Sequence, residues 1–249
     1  MAQDGIYTLG KSSTGQWQII LDRSDIIEDI GEKIVFISAQ FLDVSYCPHT
    51  LIGDIYTDEQ LVIDLSGVDC FTLLDYVEAM RRCGNMDAFS HSLKQVRYSN
   101  GQVSFTKRNH FFSDWLINSP TTVIDVTAQI GGARAVPVLK ILNSRTDGGF
   151  LLPGIELKSR SICYIPAQIF DDHILNQLHS GDYVGVYSPS EGLDVSHVGI
   201  IVKKDGLVYL RHASSKKQFR RVIDSELLSY LSGKPGLVVL RPVRIEDSN

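Results

Sequence analysis

The sequence predicts an α+β fold in which a cysteine opens a helix packed on an antiparallel sheet, and that sheet carries two histidines. Three stretches predict it. Leu61 to Leu65 is a short apolar run that ends at the Ser66-Gly67 turn, and beyond it Leu73, Leu74, Val77 and Met80 recur at helical spacing until Gly84. Ser196 to Val202 is an apolar run bounded by charge, read as a buried strand. Lys203-Lys204-Asp205-Gly206 then turns the chain, with Asp-Gly suited to positive φ, and Leu207 to His212 returns as the partner strand.

This pattern places Cys70 on the first turn of a helix. Unpaired backbone N–H groups and the positive end of the helix dipole there favour thiolate over thiol, and the same N–H groups can hold an oxyanion. A thiolate needs a base, and His197, at the start of its strand beside Ser196, is the best candidate. His212 returns on the partner strand, which suits the group that orients the base. Each residue also has a plainer interpretation. A cysteine at a helix start is often only a small buried hydrophobe, and a histidine on an apolar strand can be a satisfied core residue. Asp69 can cap the helix at Cys70 or bind substrate.

The remaining elements follow in order. Residues 5 to 23 hold Gly, Ser and Thr around a short run from Trp17 to Leu21, and residues 1–23 are expected to be an N-terminal extension. Asp25-Ile26-Ile27-Glu28 is expected to open a helix with Ile26, Ile30, Ile34 and Ile37 along one side, leading to Phe41 and Tyr46. A second helix is expected from Met86 to Gln95, and Asn100-Gly101 is expected to join two strands, Val96 to Tyr98 and Gln102 to Phe105. Arg108 to Trp115 mixes cations, His110, aromatic rings and Asp114, a surface able to read a sugar or a peptide, or a helix start packed on the core. Thr121 to Ile130 and Gly149 to Ile165 read as strand-rich, Pro166 to Leu178 as a short helix, and Ser180-Gly181-Asp182 as a turn into the strand Tyr183 to Tyr187. Ser225 to Leu231 reads as helix, and Leu237 to Leu240 as the strand that closes the sheet.

Several function classes are disfavoured. At 249 residues and 43% hydrophobic composition the chain can bury a large core, and motifs spread from Tyr46 to His212 favour a single domain over 1–249. A net charge of −5 gives no reason to expect nucleic acid. Cys47, Cys70, Cys83 and Cys163 show no C-x-x-C spacing, and no recurring ligand spacing among His49, His110, His197 and the cysteines supports a metal hydrolase. No apolar stretch approaches the roughly 20 residues that span a bilayer, and Met1 to Gly5 lacks the features of a signal peptide.

Asp69-Cys70 at a helix start, Ser196-His197-Val198-Gly199-Ile200 and Arg211-His212-Ala213-Ser214 together resemble the NlpC family of papain-like bacterial cell-wall cysteine hydrolases. The resemblance implies a papain-like core, with Cys70 as nucleophile, His197 as base and His212 as the third polar residue. It also implies that Tyr46, on the Phe41 to Tyr46 segment, helps the oxyanion hole. Arg108 to Trp115, Tyr46 to Leu51 and Gly192 to His197 resemble the N-acetylmuramoyl-L-alanine amidase-like branch more than the small peptidases. Asp43 and Ser45 stand where relatives often have Gly and Pro, and the Gly-Gly that follows the tyrosine in small peptidases is missing. The implied reaction is hydrolysis of the N-acetylmuramoyl-L-alanine amide through a thioester, without metal or organic cofactor. Its substrates would be muropeptides, in contact with Asp69, His110, Asp114, Trp115 and Ser196. It also implies export to the periplasm, a cytoplasmic location being the alternative. Two other functions stay open: a stem-peptide endopeptidase of the same fold, and a muropeptide-binding protein that does not hydrolyse.

Overall fold

In a computed structural model, the described residues are 5–10, 12–118 and 122–244. Residues 1–4, which carry most of the segment compared with a signal peptide, and Thr121, at the head of one expected strand-rich stretch, lie outside them. The chain divides into two compact units, one formed by 1–108 with 211–223 and the other by 109–210 with 224–249.

In the first unit, β1 (Ile6–Thr8) runs parallel to β3 (Val62–Asp64), with Tyr7 opposite Ile63. Between them lie α1 (Thr14–Asp25), α2 (Ile30–Ala39) and β2 (Ser45–Tyr46); then come β4 (Gly67–Val68), α3 (Cys70–Arg82) and α4 (Met86–Arg97). Within the expected N-terminal extension, residues 6–8 are thus strand and residues 14–23 are helix. Ser13 accepts from the Gln16 N–H while the Gln16 side chain accepts from the Ser13 N–H, so two unpaired donors at the start of α1 are satisfied reciprocally.

The helix expected to open at Asp25 starts later. α1 ends there, Ile26 is its 82% exposed C-cap, and Asp29 caps α2 by accepting from the Glu32 N–H. Ile34 and Ile37 are buried, as the periodicity implied. Leu73, Leu74, Val77 and Met80 of α3 are also buried, and Trp17, Phe41, Tyr76 and Phe89 form a run of ring contacts through this core. An ion pair is buried beside it: Arg97 donates to Asp75 at 2.8 Å and to the Val62 carbonyl at 2.7 Å.

The expected hairpin around Asn100-Gly101 does not form. Val96 and Arg97 belong to α4, and Asn100 and Gly101 adopt positive φ in a short 3-10 turn. Among the described residues, the strand pairing of Tyr98 is an isolated bridge to Arg108. A turn dipeptide ends a helix as readily as it joins strands when the residues before it keep the helical period.

In the second unit the order is α5 (Asp114–Asn118), β5 (Val123–Asp125), α6 (Thr127–Gly131), β6 (Val136–Leu142), β7 (Lys158–Pro166), α7 (Asp172–Gln177), β8 (Tyr183–Tyr187), β9 (Val195–Lys204), β10 (Leu207–Ala213), β11 (Val222–Glu226), α8 (Leu227–Leu231) and β12 (Gly236–Pro242). The ends of β10 and β11, Arg211–Ala213 and Val222–Ile223, fall in the first unit by the division given above. Among the described residues the sheet has eight strands in the order β11-β10-β9-β8-β12-β7-β6, with β5 beside β12. β12 pairs antiparallel with β5, β7 and β8, and β8 with β9.

Three expectations need correction in this unit. Thr127 to Gly131 is helix, so only the first part of the stretch read as strand is extended. The extended part of Gly149 to Ile165 is confined to β7, because the residues before Lys158 are turns and loop. β12 does not close an edge. It lies between β8 and β7 with Leu237, Val239 and Leu240 fully buried, and a continuous apolar run suits a strand covered on both faces. Asp205 (φ 53°) and Gly206 (φ 77°) make the expected turn between β9 and β10.

Candidate functional site

The first unit brings three of the candidate residues together. Asp69 is the N-cap of α3: its Oδ1 accepts from the N–H groups of Phe71 and Thr72, and the Thr72 hydroxyl accepts from the Asp69 N–H. Capping is therefore the role seen for its carboxylate. Cys70 follows as the first helical residue and is partly accessible. Two residues before Asp69, β4 begins; it pairs parallel with β2, Tyr46 lying opposite Val68, so the tyrosine borders the strand that leads into the cysteine. Burial raises the Tyr46 hydroxyl above its usual pKa, the charges of Cys70 and Asp69 raise it further, and Arg220 pulls it back. The phenol therefore stays protonated at neutral pH, as a hydrogen-bond donor must.

His212 lies in the 211–223 segment of the same unit and is 3% exposed. Burial, reinforced by Lys216, pushes its imidazole down to about 4, so the ring is neutral at pH 7. Arg211 beside it anchors the segment by donating to the Val35 carbonyl and the Ser38 hydroxyl.

A residue that the sequence did not single out joins this group. Arg220 stacks its guanidinium on the Tyr46 ring at 4.8 Å and donates to the Tyr46 carbonyl at 3.4 Å, while the Tyr46 N–H donates to the Arg220 carbonyl at 2.9 Å. Its signal in the sequence is faint: it is one of four cations in Lys216-Lys217-Gln218-Phe219-Arg220-Arg221.

The other candidates lie in the second unit. His197 is on β9, half-buried, opposite Val186 of β8, with its ring 6.2 Å from that of Tyr230. Val195 faces Tyr187, so Ser196 is the extra residue of a β-bulge, a device that re-aims the side chains beside it. Ser196 is exposed, and its hydroxyl lies 3.5 Å from the Val186 carbonyl.

Asp114 is fully buried. It accepts from Lys158 and Arg160 at 2.8–3.1 Å and from the N–H groups of His110 and Phe111. Trp115 is 2% exposed and meets the Tyr183 ring edge-on at 5.2 Å. Of the Arg108 to Trp115 segment's candidates, the structure therefore gives Asp114 and Trp115 interior, scaffold-forming contacts, and leaves only His110 partly accessible. Ion pairs surround the Asp114 carboxylate and ring contacts surround the Trp115 indole.

None of the four cysteines forms a disulfide. Burial pushes the Cys83 thiol up to about 12, and burial with Asp125 raises that of Cys163. No group of three or more His, Cys, Asp or Glu side chains placed to hold a metal occurs among the described residues. No helix among them is long and apolar enough to cross a membrane.

A family model described as AmiA-like, N-acetylmuramoyl-L-alanine amidase-like, matches residues 36–237. No curated protein matches the chain. Among solved structures, an N-acetylmuramoyl-L-alanine amidase from Bacteroides uniformis superposes with TM-score 0.71 at 27% identity, covering 86% of this chain and 99% of that one. A protein from Legionella pneumophila superposes with TM-score 0.78 at 21% identity, covering 93% and 94%, and is a likeness of fold. With a model matching from Phe36 to Leu237, and a mixed α+β architecture with an antiparallel sheet like that of its neighbours, the chain belongs to the AmiA-like, N-acetylmuramoyl-L-alanine amidase-like family.

Proposed function

We propose that the protein is a cysteine amidase that hydrolyses the N-acetylmuramoyl-L-alanine bond of peptidoglycan fragments through a thioester. The observation that carries this is Cys70 at the first position of α3, capped by Asp69 and bordered by the Tyr46 segment. Membership of an amidase-like family, and likeness to an amidase of Bacteroides uniformis, support the choice of bond.

In the proposed reaction the Cys70 thiolate attacks the amide carbonyl and the oxyanion is held by the Cys70 N–H and the Tyr46 hydroxyl. His197 takes the thiol proton and returns it to the leaving amine, and water then repeats the addition to release the acid. The neutral state of buried His212 supports the role of an orienting group, since a charged ring there would compete with a protonated base. The bulge at Ser196 supports a set orientation for the His197 side chain. An NlpC-type, papain-like arrangement acting as one domain over 1–249, with residues 1–23 as its extension, belongs to the same proposal. So does an exported, periplasmic location, where intact wall would be met. Asp69, His110, Asp114, Trp115 and Ser196 are the residues proposed to form the substrate site, the burial of Asp114 and Trp115 favouring an indirect part for those two.

The test is mass spectrometry of purified muropeptides after incubation with the wild type, Cys70→Ala and His197→Ala. Separated sugar and peptide from the wild type alone would support the reaction and both assignments. Cleavage within the stem peptide would indicate an endopeptidase, and binding without turnover a non-hydrolytic protein. Undiminished cleavage by Cys70→Ala would end the cysteine mechanism.

A further inference from the structure

The 214–221 segment, Ser214-Ser215-Lys216-Lys217-Gln218-Phe219-Arg220-Arg221, holds four cations and no acid in a chain whose net charge is −5. One of these charges is answered: Arg221 pairs with Asp43 at 3.2 Å. Arg220 has no carboxylate partner among the described residues, and its contacts are with Tyr46. It is exposed, yet held. Its backbone has φ 47°, the Tyr46 N–H donates to its carbonyl, and its guanidinium lies over the Tyr46 ring. Stacking and one bond to the Tyr46 carbonyl leave most of the five N–H donors of the fork for another acceptor.

Place decides what that acceptor is. Tyr46 borders the strand entering Cys70, so a ligand on Arg220 would lie beside the nucleophile. A planar guanidinium fork matches a carboxylate in two parallel hydrogen bonds, and holding the side chain by stacking lowers the entropy lost on binding. Lys216 and Lys217 on the same segment add positive potential that draws an anion to it.

We propose that Arg220 docks a carboxylate of the substrate's peptide portion, making it a specificity-determining residue for anionic muropeptides over amidated ones. This rests on the amidase reaction proposed above for the choice of substrate. The experiment compares N-acetylmuramoyl-L-alanyl-D-glutamate with its diamide as substrates for the wild type, Arg220→Gln and Arg220→Lys.

The wild type is expected to favour the carboxylate by about tenfold in kcat/KM, a size set by a charge-assisted pair at a solvated site. Arg220→Gln should bring the ratio near one, and Arg220→Lys should keep part of it. The preference should shrink as salt is raised from about 0.05 to 0.5 M, as an exposed ion pair requires. If Arg220→Gln slows both substrates by the same factor, Arg220 serves only to position Tyr46 and the proposal fails. It fails equally if the ratio does not change.

If the wild type cleaves neither substrate, the amidase reaction is wrong. The carboxylate site is then read by calorimetric Kd values for both ligands on Cys70→Ala with and without Arg220→Gln. A carboxylate preference that vanishes with Arg220 supports the site; equal affinities overturn it. Thermal melts of each variant distinguish loss of docking from loss of fold.

Discussion

Acidification should destabilise this protein through His212. The ring is 3% exposed, and burial with Lys216 nearby holds its pKa at about 4, against an ordinary value of 6.5. Below the ordinary value the unfolded chain takes up a proton that the folded state refuses, so stability attributable to this group is complete above pH 6.5 and falls as pH drops toward 4. With those two values, the loss between pH 7 and pH 4.5 comes to about 2.5 kcal/mol. The assay is urea unfolding followed by tryptophan fluorescence at pH 7.0, 6.0, 5.0 and 4.5, for the wild type and His212→Asn. Asparagine keeps a donor and an acceptor at the site but has no proton to gain. The variant's disadvantage at pH 7 should therefore narrow by about 2.5 kcal/mol on acidification. Comparing the two chains at each pH cancels the titration of other groups, including Asp75, whose buried carboxyl is pushed up to about 6 and shifts stability in the opposite direction. A gap that stays constant from pH 7.0 to 4.5 would mean that His212 ionises in the folded state as it does in water.

Three further substitutions test particular contacts. Asp69→Ala removes the side-chain oxygen that caps α3 and should cost about 1 kcal/mol in urea unfolding, whereas Asp69→Ser should keep most of it; equal losses would mean that capping is not what the residue contributes. Asp114→Ala strands the Lys158 and Arg160 charges and the N–H groups of His110 and Phe111, so a loss of about 3 kcal/mol is expected, and a shift below 1 kcal/mol would contradict its placement. Gly67→Ala sets a methyl group 2.5 Å from the Cys47 sulfur and 2.9 Å from its Cβ, and the overpacking should cost about 1–3 kcal/mol. Cys47→Gly should recover much of that loss in the double variant, and strictly additive effects in thermal melts would refute the clash.

The sequence by itself determined whatever depends on near neighbours. The helix after Cys70 was legible because its apolar residues recur at helical spacing behind an Asx cap, and the turn between β9 and β10 because Asp205 and Gly206 accept positive φ. The runs around Cys70, His197 and His212 could be singled out as candidates for the same reason: each is short. Where two local signals competed, short range was not enough. Asn100-Gly101 reads equally as a hairpin or a helix end, and Asp25 closes one helix although the sequence Asp25 to Glu28 reads as the acidic first turn of another.

Tertiary structure decided the rest, because it turns on residues distant in the chain. β12 takes a central place only because β7 and β8 flank it, which no pattern within Leu237 to Leu240 can announce. Asp114 is separated by 44 residues from Lys158, and its burial is tolerable only because that cation and Arg160 compensate its charge. Arg220 reaches Tyr46 across 174 residues of sequence, and what makes it a candidate for recognition is that contact, not its own type or its neighbours. Periodicity and turn chemistry are local free energies, whereas burial and charge compensation come into being only when the chain has closed on itself.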